Sequence, residues 1–141
     1  MGLIENIVLG TVKLGVPGYG HSSKKINSNF DGVAFLKQVG ELGIRKFDTS
    51  PRYGNSEKIL GDYIKKAKEK QFVSTKVDNL IPNDNKVKKK IRNSIKNSLE
   101  NLNKEYLDIC YLHQNRLEII SDPYIQEALS SLKNLELVKK I

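Results

Sequence analysis

Four times along its 141 residues, a short apolar run bounded by Gly, Pro, Asn or Asp gives way to a longer segment with apolar side chains at helical spacing. That alternation leaves very few folds open. Short apolar or β-branched runs read as strands, and apolar recurrence at i, i+3, i+4 and i+7 reads as an amphipathic helix. Strands are expected at residues 7–14, 45–48, 72–76 and 106–112, and helices at 29–42, 56–68, 85–102 and 123–135, with residues 139–141 beginning a further element. A helix between each pair of strands requires right-handed crossovers and a parallel sheet.

Local signals fix several boundaries. Ser28 with Asp31 three residues on resembles a capping box for the first helix, Phe30, Val33, Ala34 and Val39 supply its apolar face, and Gly43 ends it. Asp84 or Asn85 is the expected cap of the third helix, and Asp122 followed by Pro123 opens the fourth.

Two architectures satisfy this pattern. An open doubly wound sheet fits 141 residues, whereas a complete (β/α)8 TIM barrel takes about 250. Length favours the open sheet, but no Gly-x-Gly-x-x-Gly turn follows the first strand and no phosphate-loop Gly-Lys-Ser/Thr occurs. The net charge of +8 invites a nucleic-acid partner. Much of the excess, however, is Lys86, Lys88, Lys89, Lys90, Arg92 and Lys96, interleaved with Val87, Ile91, Ile95, Leu99 and Leu102, which makes it the wet side of one amphipathic helix. No nucleic-acid partner is expected. No apolar run approaches the ~20 residues of a membrane helix, and the first six residues lack the charge and apolar stretch of a signal peptide. We therefore expect no membrane partner, a cytoplasmic setting, and one domain over residues 1–141. The single Cys110 lies in an apolar run and reads as a buried small hydrophobe, and no metal site is expected.

The polar residues decide between the architectures. Asp48 follows the second strand, Lys76 the third and His113 the fourth, while Tyr53 lies just past Asp48. In a parallel barrel the C-terminal strand ends open on one face, so these four groups converge without being neighbours in sequence. A cation near a phenol lowers the phenol pKa from about 10, and a carboxylate beside that cation keeps it charged and oriented. Tyr53 then becomes a proton donor, and His113 can hydrogen-bond the same substrate oxygen and polarise it. Taken singly, Asp48 could organise a turn, Tyr53 fill a half-buried site, Lys76 be a solvated strand-end charge and His113 a structural histidine. Four such accidents at the same end of successive strands are less economical than one shared site.

Phe47-Asp48-Thr49-Ser50-Pro51-Arg52-Tyr53-Gly54-Asn55-Ser56-Glu57 with Leu60-Gly61 resembles the aldo-keto reductase signature, in which an Asp and a Tyr are separated by four residues. Ser74-Thr75-Lys76 resembles the strand ending in that family's catalytic Lys. Leu107-Asp108-Ile109-Cys110-Tyr111-Leu112-His113 resembles the strand ending in its His. Leu9-Gly10-Thr11, with Leu14-Gly15, resembles its opening barrel strand. The resemblance implies a (β/α)8 TIM-barrel fold of which about four βα units are present, a tetrad of Asp48, Tyr53, Lys76 and His113, and Gly10 and Thr11 beneath a nicotinamide. It also implies NADPH, with NADH as the alternative, and a small carbonyl substrate.

The same resemblance implies that the chain stops where the fifth strand begins, so that it is a truncated, inactive fragment or a half-barrel that self-associates or pairs with a second half. A non-catalytic nicotinamide-binding or regulatory module on the same scaffold is the alternative. The loop at residues 17–27, with Tyr19 and His21, would hang over the pocket mouth, and Asp108 is read as a structural hydrogen-bonding group.

Overall fold

The computed structural model describes residues 3–20 and 29–141, with only the backbone of Leu3. After a 3-10 turn at Leu3–Asn6 come β1 (Val8–Gly10), α1 (Val12–Gly15), α2 (Gly32–Glu41), β2 (Lys46–Asp48), α3 (Ser56–Ile64), β3 (Phe72–Val77), α4 (Val87–Leu102), β4 (Leu107–Leu112), α5 (Leu117–Ile120), α6 (Pro123–Asn134) and β5 (Val138–Lys140). The strands form one sheet in the order β1-β2-β3-β4-β5, with every neighbouring pair parallel. Sequential order in space is that of a barrel arc, since a doubly wound sheet reverses its strand order at a switch point. The open-sheet alternative falls on this observation, and the fold is α/β, part of a (β/α) barrel.

Register explains the sequence pattern. Successive strand residues face opposite sides. Phe47 lies beside Val73, and Thr75 beside Cys110, on the side covered by helices. Phe47, Val73, Val77 and Cys110 are fully buried there against Leu36, Leu60, Ile91, Ile95 and Ile125. The alternate residues, Asp48 beside Ser74 and Lys76 beside Tyr111, share the other face. That face is open enough to leave Tyr111 44% and Val8 51% exposed. Burial pushes the Cys110 thiol up to about 12, in keeping with a packing role.

The helix boundaries differ from expectation in physically legible ways. α2 starts at Gly32, not residue 29, because Asp31 is itself the cap, its Oδ1 accepting the amides of Val33 and Ala34 at 3.0 Å each. Ser28 lies outside the described residues. The first strand ends at Gly10, and the expected remainder winds into α1. Asp84 does not cap α4. It accepts the Lys86 amide at 2.9 Å one turn earlier, and Lys86 occupies the cap position without a side-chain bond. Asn103, at φ 51°, closes α4 in the left-handed conformation that Asn tolerates. The short α5 has too few residues to carry a periodicity and was not foreseen.

Asp122 caps α6 as expected, accepting the Ile125 amide at 2.9 Å and also the Asn83 amide at 2.7 Å, so one carboxylate ties the loop before α4 to α6. Those amides, Asn83 first, hold its carboxyl below the usual carboxylate range. A carboxyl whose pKa is depressed by folding stabilises above its unfolded pKa of about 3.9, and loses that contribution as pH falls through the lower folded value. Asp122→Ala is therefore expected to lower the Tm at pH 7, with the gap to wild type narrowing as pH drops from about 5 towards about 2. Calorimetry of both proteins across that range checks it, and a gap independent of pH would assign the effect to something other than the carboxylate.

Asp108 is structural, as read. It accepts the Val73 amide at 2.9 Å and pairs with Lys104 at 3.2 Å. Among the described residues no helix is long and apolar enough to cross a membrane, and no group of His, Cys, Asp and Glu is placed to hold a metal ion.

Candidate active site

Two motif residues with no obvious chemistry turn out to set the scaffold. Glu57, only 3% exposed, accepts from Thr75 Oγ1 at 2.8 Å and from Asn101 Nδ2 at 3.4 Å, tying α3 to β3 and α4. A Cβ at Gly61 would overlap the carbonyl oxygen of Asn101, so only glycine lets α3 approach α4 this closely. These contacts hold the loop between β2 and α3 in place from below.

The loop itself is pinned by hydroxyls. Ser56 Oγ lies 2.6 Å from Thr11 Oγ1 and 3.0 Å from Thr49 Oγ1, and donates to the Thr11 carbonyl at 3.0 Å. Thr11 Oγ1 in turn donates to the Asp48 carbonyl at 3.0 Å. The Tyr53 amide closes a turn onto the Ser50 carbonyl at 3.0 Å, and the Ser56 amide one onto the Tyr53 carbonyl at 3.0 Å. Gly54, at φ 54°, and Gly15 meet backbone to backbone beside it.

On this frame the four sequence-identified side chains come together at the C-terminal end of the sheet. Lys76 Nζ donates to Asp48 Oδ2 at 2.6 Å and to the Thr49 carbonyl at 3.0 Å, while Ser74 Oγ donates to Asp48 Oδ1 at 2.9 Å. The carboxylate is thereby held through both oxygens. The Lys76 ammonium lies 5.1 Å from the centroid of the Tyr53 ring, and the Tyr53 and His113 rings meet edge-on with centroids 6.0 Å apart. His113 reaches this position because its amide extends the ladder past β4, donating to the Val77 carbonyl at 2.9 Å.

The two residues placed under a cofactor separate. Gly10 is in register with Asp48, and a Cβ there would meet no heavy atom within 4 Å. Thr11, 1% exposed, has its hydroxyl committed to the Asp48 carbonyl and Ser56. Tyr19 is exposed, and His21 lies outside the described residues.

Sequence reading missed a second layer around His113. Its Nδ1 is 3.2 Å from Ser50 Oγ and 3.6 Å from Asp78 Oδ2, and the same Asp78 oxygen takes the Arg52 guanidinium at 2.8 Å. Gln114 clamps the loop carrying Asp78, accepting the Leu80 amide at 2.6 Å and donating to the Leu80 carbonyl at 3.1 Å. Asp78 lies two residues beyond Lys76, so the period-2 rule that placed Lys76 on this side was the available signal.

A carboxylate-anchored ammonium beside a phenol, with an imidazole edge-on to the same ring, is suited to moving a proton at a substrate oxygen.

The sequence pattern described as the aldo/keto reductase family matches residues 6–140. L-galactose dehydrogenase of Arabidopsis thaliana is 32% identical over 94% of this chain and 45% of its own length. D-arabinose 1-dehydrogenase of Saccharomyces cerevisiae is 35% identical over 72% of this chain and 31% of its own. Among solved structures, the holo form of an aldo-keto reductase from Bacillus halodurans superposes with a TM-score of 0.70 at 25% identity, covering 94% of this chain and 43% of that one. The chain spans less than half the length of these relatives.

Proposed function

Because the chain belongs to the aldo/keto reductase family, whose members act on carbonyl compounds with a nicotinamide cofactor, we propose that it carries the proton-handling half of an enzyme that interconverts an aldehyde or ketone and its alcohol. The reading rests on one observation above the others, the Lys76–Asp48 pair at 2.6 Å set beside Tyr53 and His113. Tyr53 gives its proton to the substrate oxygen. Lys76 stabilises the charge left on the phenol, Asp48 keeps the ammonium in place, and His113 contacts the same oxygen from the other side. Two relatives named as dehydrogenases of L-galactose and D-arabinose make a sugar-like carbonyl a reasonable first substrate to assay.

A reduced nicotinamide supplies the hydride when bound. The open space over Gly10, next to Asp48 in register, suits a flat ring, and a side chain there would enter that space. NADPH is the proposed cofactor, with NADH as the alternative, on the family resemblance. A cytoplasmic setting is part of the same proposal.

The five-stranded arc has free edges at β1 and β5 and apolar side chains on its open face, which a second set of βα units would cover. Activity therefore belongs to this arc together with the remainder of a barrel, on the same or a second polypeptide. The 141-residue chain alone is expected to self-associate and to show no measurable NADPH-dependent reduction of simple aldehydes. Light scattering coupled to sizing, with a steady-state assay, tests both. A monodisperse monomer, or robust turnover by the arc alone, would contradict this part of the proposal.

A further inference from the structure

Ser50 is fully buried, and its hydroxyl has two described partners. The Arg52 amide donates to Ser50 Oγ at 3.2 Å, which occupies the oxygen as an acceptor. The hydroxyl hydrogen still needs an acceptor of its own, because a buried polar hydrogen left unpaired is costly and rare. Among the described residues the atom in reach is His113 Nδ1, at 3.2 Å. A neutral imidazole has one protonated and one bare ring nitrogen, and the partner of one nitrogen decides which is which.

From this we infer that Ser50 is a positioning residue that fixes the tautomer of His113: its hydroxyl donates to Nδ1, so the ring proton resides on Nε2 and His113 presents a donor to the substrate oxygen. The competing partner is Asp78, whose Oδ2 lies 3.6 Å from the same nitrogen and would favour the opposite tautomer. Ser50 prevails on geometry, since 3.6 Å is beyond hydrogen-bond range and that oxygen already takes the Arg52 guanidinium at 2.8 Å. Buried Ser50 and ion-paired Asp78 thus act against each other at one nitrogen, with the serine ahead.

The inference rests on the proposal that His113 faces the substrate, but its test needs no turnover. The sequence has two histidines, so a His21→Gln background leaves His113 as the sole imidazole. Long-range proton–nitrogen correlation spectra of the nitrogen-15-labelled protein at a pH where the ring is neutral report which nitrogen bears the proton. The expected result is Nε2–H in this background, and a shift of most of the population to Nδ1–H in Ser50→Ala, where Asp78 becomes the nearest partner. In an active barrel the same variant should lower kcat for carbonyl reduction about 100-fold, the cost of losing one aimed donor, with cofactor affinity unchanged. Nδ1–H in the presence of Ser50, or an unchanged tautomer in Ser50→Ala, would overturn the inference. The first of these is read without altering Ser50, so it stands even if Ser50→Ala does not fold. Absence of reductase activity alongside the expected spectra would instead count against the proposed function alone.

Discussion

Replacing Tyr53 by Phe, in a barrel completed with a compatible second half, is expected to lower kcat/KM for an aldehyde by about 100- to 10,000-fold, the usual worth of a placed general acid. The change deletes one oxygen and keeps the ring whose edge meets His113 and whose centroid lies 5.1 Å from Lys76 Nζ. The loop should survive it, because that loop is held by the hydroxyls of Thr11, Thr49 and Ser56 and not by the phenol. Cofactor affinity should therefore stay near the wild-type value, and the loss should fall on kcat. Fluorescence titration with NADPH and steady-state kinetics on both proteins separate the two effects. Normal turnover by the variant would remove Tyr53 from the chemistry.

Gly15→Ala is expected to harm the site from a distance. A Cβ at Gly15 would overlap the carbonyl oxygen of Tyr53 and lie 2.6 Å from the Ser56 amide nitrogen, both backbone atoms that cannot rotate away. Alanine would gain about 1 kcal/mol of helix propensity at the end of α1. Overpacking costs about 1 to 3 kcal/mol and outweighs that gain, so the variant should unfold at lower denaturant concentration. Relief of the clash must push residues 53–56 outward, and a displacement on the order of 1 Å at a reacting group costs about 100-fold in rate. Thermal or urea unfolding together with the aldehyde assay reads both effects. A variant as stable and as active as wild type would mean that α1 does not brace the Tyr53 loop.

The fold was legible because a parallel barrel writes itself into sequence twice, once in the alternation of strand and helix and again in the polar residue at each strand end. Asp48, Lys76 and His113 were readable as strand-end residues, and the structure gathers them with Tyr53. What escaped was the material whose partners lie far away in sequence. Ser50 looks like a turn residue until His113, 63 positions on, is folded against it. Glu57 looks like a helix-start charge until Thr75 and Asn101 close over it. Thr11, which the family resemblance places beneath a nicotinamide, also carries a hydroxyl that ties it to Ser56 and to the Asp48 carbonyl, bonds that its sequence neighbours do not reveal. Short elements such as α1 and α5 span too few residues to show a period, so local packing decides them.

Asp48, Tyr53, Lys76 and His113 are proposed to form one site for nicotinamide-linked reduction of a carbonyl. Mass spectrometry of the alcohol formed from an aldehyde and NADPH deuterated at nicotinamide C4, on the face that is transferred, tests it most directly. One deuterium is expected on the carbinol carbon in product from the completed barrel, with the same labelled alcohol formed about 100- to 10,000-fold more slowly by the Tyr53→Phe variant. NADPH binding by the completed barrel with no deuterated alcohol, from a panel of simple and sugar-like aldehydes assayed with either deuterated face, would contradict it.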